Sequence, residues 1–425
     1  MNGAPNRESE LSSFRFLHAA DLHLGSPFSG LAVKEAQVAE QFARATRDAF
    51  SSLVTHAIDA SVAFVVIAGD VYDGEWRDNS IGLFFNREIA RLDRAGIPVV
   101  LVKGNHDADS VVTRSITMPD CVRQFASRRA STVILDQIKV ALHGQSFADR
   151  AASDNLALAY PEPVPGHFNI GVLHTSLTGR PPHANYAPCS VADLKSRGYD
   201  YWALGHVHEY ELVAEHPHIV FPGNIQGRNI RETGAKGGVL VSVDDGTVTS
   251  LERMFVDQAR FANVDVDITP CEGMADILRA CERELAALAD AAGGRLHALR
   301  LRMTGESALK GRLLAERVRL TDEIQAACHR ASADFWLEKL VLDLADPPAR
   351  AAGKGDASVE LAALLNEAMA NPDIEARAEA LAGEIRARMP FAAGEGEGLF
   401  GEPFAALLAE ARAVALARTT AEEGE

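Results

Sequence analysis

At 425 residues, with 47% hydrophobic and 24% charged residues, the chain is long enough for two or three ordinary globular domains. Its formal net charge of −17 excludes a polybasic protein that gathers nucleic acid over its whole surface. The five cysteines, Cys121, Cys189, Cys271, Cys281 and Cys328, form no CxxC pair, and no stretch approaches a membrane span, so reduced thiols, no membrane partner and a cytoplasmic location are expected.

Residues 1–13 are polar, lack the apolar segment of a secretory leader and are expected to be disordered. Five apolar runs follow, each ending in a polar motif. Residues 14–20 lead into Asp21-Leu22-His23, 64–68 into Gly69-Asp70, and 99–102 into Lys103-Gly104-Asn105-His106-Asp107; 168–173 lead into His174, and 199–204 into Gly205-His206-Val207-His208. Short β-branched or aromatic runs bounded by glycine predict strands, and their near-continuous apolarity suits a sheet covered on both faces. Between them, Phe42, Ala45, Ala49, Phe50, Leu53 and Ala57 recur every three or four residues and predict a helix facing the core. The polar motifs therefore fall at carboxyl ends of strands, where open α/β sheets place their ligands. A strand at 239–243 and the turn Asp244-Asp245-Gly246 close this domain, whose boundary is expected near residue 258.

A smaller α/β unit is predicted over residues 259–346. Alternating strands at 264–268 and 299–303, helices at 275–291 and 313–330, and a strand at 335–344 give a β-α-β-α-β order. Arg300 and Arg302 share one strand face, where solubility or contact with a polyanion are both open. Residues 347–356, rich in Pro, Ala, Gly and charge, predict a linker, and a helical tail follows over 357–425. Leu361, Leu364, Leu365 and Met369 form a stripe too short to be buried alone, so it needs a surface to dock on. Residues 351–425 carry 6 Lys+Arg against 14 Asp+Glu, a net of −8, so nearly half of the negative excess lies in the tail.

The chemistry of the five motifs is specific. Asp21, His23, Asp70, Asn105, Asp107, His174, His206 and His208 are eight candidate ligands, with His106 as a ninth polar group. An oxygen and nitrogen set without cysteine favours Mn, Fe or Zn, and eight donors are too many for one ion. Two cations roughly 3.5 to 4 Å apart clamp the oxygens of an in-line phosphoryl displacement. Polar residues merely satisfying strand ends would not explain a set free of Lys and Arg. No P-loop motif is present, so the chain is not expected to bind ATP itself.

The ordered motifs D-x-H, GD, GNHD, H and GHxH resemble those of the calcineurin-like metallophosphoesterase superfamily, over roughly residues 14 to 245. Residues 18–25 and 221–228 are similar to the SbcD-like DNA-repair exonucleases, and residues 173–177, 186–189 and 232–237 to their YhaO-type branch. The resemblance implies a four-layer β-sandwich flanked by helices (14–258), an α/β capping domain that meets DNA, and a helical tail that holds the coiled coil of an SbcC-like ABC-type ATPase. It further implies that Asp21, His23 and His208 bind a first metal, that Asn105, His174 and His206 bind a second, and that Asp70 bridges both. His106 then protonates the leaving oxygen, and the expected cofactor is a pair of manganese ions. Where some relatives carry a second histidine three residues after the bridging aspartate, this chain has Asp73. Arg228, Arg231 and Lys236 cluster after the last motif, as DNA contacts or as a solvated loop. The expected function is a two-metal DNA exonuclease or endonuclease subunit; a phosphoesterase of small nucleotides, a non-catalytic scaffold for an ATPase and a homodimer remain open.

Overall fold

A computed structural model describes residues 13–26, 36–73, 80–109, 118–149, 153–178, 186–345, 364–365, 367, 371–388, 411–412 and 414. The start up to residue 12, Glu75, Arg77, Asp78, His183, the 347–356 linker and nearly all of the 359–369 and 403–418 segments lie outside the described residues. The chain divides into two compact units, one comprising chiefly residues 40–227 and 235–258, the other 228–234 and the chain from 259 onward.

The first unit begins with β1 (Phe14–Ala19), α1 (Ala36–Asp59), β2 (Phe64–Ala68), α2 (Ser80–Arg94), β3 (Val99–Val102) and the single turn α3 (Asn105–Asp109). It continues with β4 (Val122–Gln124), β5 (Ser131–Leu135), β6 (Val140–Gly144), β7 (Phe168–His174), α4 (Val191–Ser196), β8 (Tyr201–Gly205), β9 (Glu211–Glu215), β10 (His218–Phe221), β11 (Gly237–Asp244) and β12 (Thr247–Phe255). These strands form two six-stranded sheets, ordered β12-β11-β1-β2-β3-β4 and β5-β6-β7-β8-β10-β9. In both, the central strands run parallel and the antiparallel pairs sit toward the edges.

The layers follow from which side chains are buried where. Phe16, Phe64, Val66 and Val100 of the first sheet meet Leu142, Ile170, Val172 and Tyr201 of the second in one apolar core. Phe16 stacks on Phe64 with centroids 4.9 Å apart, and Phe14 meets Phe168 edge-on at 5.7 Å. Removing one such buried ring typically costs about 3–5 kcal/mol. On its other face the first sheet is covered by α1 and α2 through Phe50, Leu53, Phe85 and Ile89. The second sheet is covered through Leu194, Tyr160 and Trp202, with α4 started by a capping box between Ser190 and Asp193. The central strands β2, β3, β6, β7 and β8 are thus buried on both faces, which explains why they read as continuous apolar runs. This is the mixed α/β sandwich flanked by helices that the motifs imply.

The second unit contains β13 (Ala259–Asp267), α5 (Met274–Ala292), β14 (Leu296–Glu306), α6 (Lys310–Ala315), α7 (Arg317–Ala331) and β15 (Phe335–Ala345). Its three strands are parallel in the order β13-β14-β15, and Ile277, Cys281, Leu320, Ile324 and Cys328 pack on Leu299, Leu301 and Met303. One helix was expected over 313–330, but two are present, because Glu316 leaves helical geometry at φ −92° and ψ 19°. Arg300 forms a forked pair with Glu338 and Arg302 with Asp265, so both cations already face carboxylates of neighbouring strands. In the tail, α8 (Pro372–Arg388) leaves Leu381 59% and Ile385 42% exposed. Among the described residues no helix is long and apolar enough to cross a membrane.

Candidate metal centre

The five strand ends belong to two different sheets. Asp21, Asp70 and Asn105 follow β1, β2 and β3, whereas His174 ends β7 and His206 follows β8. Hydrogen bonds from Asp21 N to Gly69 O, His23 N to Asp70 O and Leu24 N to Val71 O carry the β1–β2 pairing past its last strand residues. Asp21, His23, Asp70 and His206 all stand on backbone with φ between 44° and 99°. Side chains other than glycine rarely adopt this region, and they hold it only where the surroundings fix it, which is common at functional sites.

Glycines make the approach of the two sheets possible. A Cβ on Gly104 would lie 2.2 Å from Asp70 Oδ1, one on Gly69 2.4 Å from His174 Nδ1, and one on Gly205 2.0 Å from Ala68 O. The motif glycines are therefore the space into which Asp70, His174 and the Ala68 carbonyl fit. Gly104→Ala is expected to displace Asp70 and to lower bound metal below two equivalents, read by elemental analysis after metal loading, with secondary structure retained by circular dichroism.

Two groups of donors result. Asp21, His23 and His208 place ligand atoms within 4.8 Å of one another, as do Asp70, His174 and His206. His23 Nε2 and His208 Nε2 face each other at 3.1 Å, and Asp70 Oδ2 lies 4.0 Å from His23 Nε2 and 3.3 Å from His174 Nε2. Asn105 Oδ1 lies 3.0 Å from His174 Nε2. His174 Nδ1 donates to Ala68 O at 2.9 Å, which orients the ring and leaves Nε2 to face the centre. His206 N donates to both oxygens of Asp21, at 3.1 and 2.9 Å. All seven residues expected to hold metal are brought together.

The electrostatics call for cations. Burial works to raise the Asp70 carboxyl, yet His174, His23 and His106 hold it well below the ordinary carboxylate range. Burial raises that of Asp21 against the pull of His208 and His174. Burial would lower the His174 imidazole, but Asp70 and Asp21 lift it to about 9, so the protein alone balances its buried carboxylates with protons on histidine. Divalent ions supply that positive charge and displace those protons, so this oxygen and nitrogen set fits two such ions.

Three neighbours refine the reading. Asp107, counted among the eight candidate ligands, is instead occupied by backbone: it accepts from Val71 N and Tyr72 N at 3.0 Å and from Gly104 N at 3.1 Å. It clamps the Asp70 loop to the Asn105 loop, and burial followed by the charge of Asp70 pushes its carboxyl up to about 6. Asp73, whose role was open, lies 2.9 Å from His106 Nδ1. Nothing in the sequence spacing revealed that contact, which engages Nδ1 of the ring. His106 is 29% exposed, while its backbone N–H is held by Asp70 Oδ1 at 3.0 Å. His23, Asp73 and His106 also form a third close group.

The expected DNA contacts sit differently from one another. Arg228 pairs with Glu232 at 2.8 Å, and Arg231 is exposed. Lys236 is buried, with its ammonium donating to His208 O. His143 lies between Thr132 and Asn169 and stacks on Tyr199, away from the ligand groups. His18 is buried between the sheets, donating to Leu204 O and accepting from Tyr201, and burial lowers it to about 3, so it is a neutral strut.

Residues 14–210 match the calcineurin-like phosphoesterase family, and residues 261–345 match the middle domain of metallophosphoesterase YhaO. Over 280 residues the chain is 36% identical to the uncharacterized metallophosphoesterase YhaO of Bacillus subtilis (strain 168), covering 64% of this chain and 67% of that protein. It is 26% identical over 262 residues to the DNA double-strand break repair protein Mre11 of Sulfurisphaera tokodaii, covering 58% of this chain and 64% of the relative. With the SbcD component of the nuclease SbcCD of Escherichia coli (strain K12) it shares 23% identity over 292 residues, covering 57% of this chain and 68% of the relative. The chain thus spans about two thirds of each of these relatives, and in the archaeal case slightly less.

Proposed function

Because the chain belongs to the calcineurin-like metallophosphoesterases, and so is a metal-dependent phosphoester hydrolase, we propose that it cleaves phosphodiester bonds of DNA as a nuclease subunit in DNA repair. The observation that carries hydrolysis is the placement of His106 beside two donor groups, with Nδ1 already engaged by Asp73.

Asp21, His23 and His208 would hold one ion, Asn105, His174 and His206 the other, and Asp70 both. Two divalent ions held there, manganese in this proposal, would supply an activated water and neutralise phosphoryl charge. The chain's own residues do the rest. Asp73 keeps the His106 ring turned, and His106 Nε2 delivers a proton to the departing sugar oxygen as the phosphorus–oxygen bond breaks. Asp107 and the motif glycines hold the two loops at a fixed separation, so the scissile phosphate meets a preorganised site.

DNA as the substrate is supported by the names of two relatives, a DNA double-strand break repair protein and a nuclease subunit. The second unit matches the middle domain of metallophosphoesterase YhaO, and a role in meeting DNA belongs to the same proposal. Arg228 and Arg231 are the proposed phosphate contacts; at Arg228 a phosphate would take the place of Glu232. An SbcC-like coiled-coil ATPase is the proposed partner of the tail, where α8 presents Leu381 and Ile385 outward. Pairing of two copies belongs to the same proposal. The net charge of −17 favours a second reading, hydrolysis of small nucleotides or phosphorylated metabolites. With manganese present, the purified protein is expected to degrade linear duplex or single-stranded DNA as well as bis-p-nitrophenyl phosphate. Activity confined to small substrates, even with the partner ATPase added, would overturn DNA in favour of the second reading.

A further inference from the structure

Lys236 immediately precedes β11, and its side chain is only 3% exposed. Proteins bury a lysine ammonium only when it is paired. This one donates to the carbonyl oxygen of His208 at 3.0 Å and pairs with the carboxylate of Glu209. Its backbone is fixed too: Lys236 N donates to Asp257 Oδ1 at 3.2 Å, and Lys236 O accepts from Val256 N at 3.1 Å.

The segment this ammonium reaches, residues 206–210, is neither helix nor strand, yet it carries two ligands. His206 is tied through its own N–H to Asp21. The same carbonyl is reached by Asn224 N at 3.3 Å, and a Cβ on Gly223, at φ 79°, would stand 3.0 Å from that oxygen. A charge-assisted bond is stronger than the long amide contact beside it, so the lysine dominates the hold on His208.

We infer that Lys236 is a positioning residue for the first metal site: through the His208 carbonyl it fixes the loop that aims the His208 imidazole at Asp21 and His23. It is no ligand itself. The inference rests on the two-cation reading of the centre and not on DNA as the substrate. A competing physical effect has the opposite sign, since a buried ammonium close to a cation site repels the cation and its removal should tighten binding.

The full chain, stripped of metal and titrated with Mn²⁺ by calorimetry and electron paramagnetic resonance, separates these. Wild type is expected to bind two ions. Lys236→Met is expected to weaken one site about 10- to 100-fold, the usual effect of losing an orienting partner of a ligand, while the other site is unchanged. The weakened site should be the one that His208→Ala removes, and Lys236→Met should add no further loss in that background. Lys236→Gln, which keeps a donor without the charge, should recover part of the affinity. Should Lys236→Met fail to fold, Lys236→Gln serves alone, with selective weakening of the His208 site as the expected result. Wild-type or tighter binding in the variants, or equal weakening of both sites, overturns the positioning role. A wild-type protein that takes up fewer than two ions overturns the two-cation reading instead.

Discussion

Asp70→Ala is expected to yield a folded protein that retains neither cation and hydrolyses phosphodiesters at least about 10³-fold more slowly. One carboxylate serves both donor groups: Oδ2 stands between His174 and His23, while Oδ1 fixes the N–H of His106. Its loss would remove a ligand from each ion and the carboxylate that faces both the His174 and His23 imidazoles. With Asp70 gone, His174 and His23 are left facing cations with less negative charge to offset them, so affinity falls at both sites together. Elemental analysis of the manganese-loaded variant checks this, with Asp70→Asn separating loss of charge from loss of volume. One full equivalent of metal retained in Asp70→Ala would assign Asp70 to a single site and remove the bridge.

The sequence was most legible where period and burial agree. Residues 64–68 and 99–102 read as strands covered on both faces because both faces are in fact covered, by α1 and α2 outside and by the second sheet inside. The candidate ligand motifs stand out because Asp, His and Asn recur at strand ends, and folding brings them together. What the sequence did not carry is contact between side chains far apart in the chain. Asp107 looks like any other ligand carboxylate until the amides of residues 71 and 72 are found on it. Asp73 carries no motif of its own, and only folding brings it against His106, thirty-odd residues later. Lys236 reads as one of three cations after the last motif, and its burial distinguishes it from Arg231. Backbone strain was equally hidden, since Asp21, His23 and His206 carry no glycine-like signature for their positive φ.

The broken helix at Glu316 has a similar cause. Leu313, Leu320 and Ile324 keep an apolar spacing that spans the break, so periodicity alone joins α6 to α7. Packing decides otherwise, because both helices bury their leucines on the same three-stranded sheet. The charge problem also changes with structure. Several of the aspartates that make the chain acidic line the donor groups, and two divalent ions would cancel them locally. Net charge therefore understates how readily a phosphate approaches this rim.

His106→Ala is expected to bind both ions at wild-type stoichiometry and yet to lose DNA hydrolysis by about 10²- to 10⁴-fold, the usual range for a general acid. The prediction separates two readings that the geometry brings close, because His23, Asp73 and His106 also sit within ligand distance of one another. If His106 is the acid, its value depends on the leaving group. A sugar alkoxide needs the proton, whereas p-nitrophenolate leaves without one, so hydrolysis of bis-p-nitrophenyl phosphate should fall far less than hydrolysis of DNA. If His106 is a ligand, one ion is lost and both substrates suffer alike. Metal content and the ratio of the two activities, measured on the same preparation, therefore decide the role. An equal loss on both substrates with one ion missing would make His106 a ligand and leave the departing oxygen without a proton donor in this site.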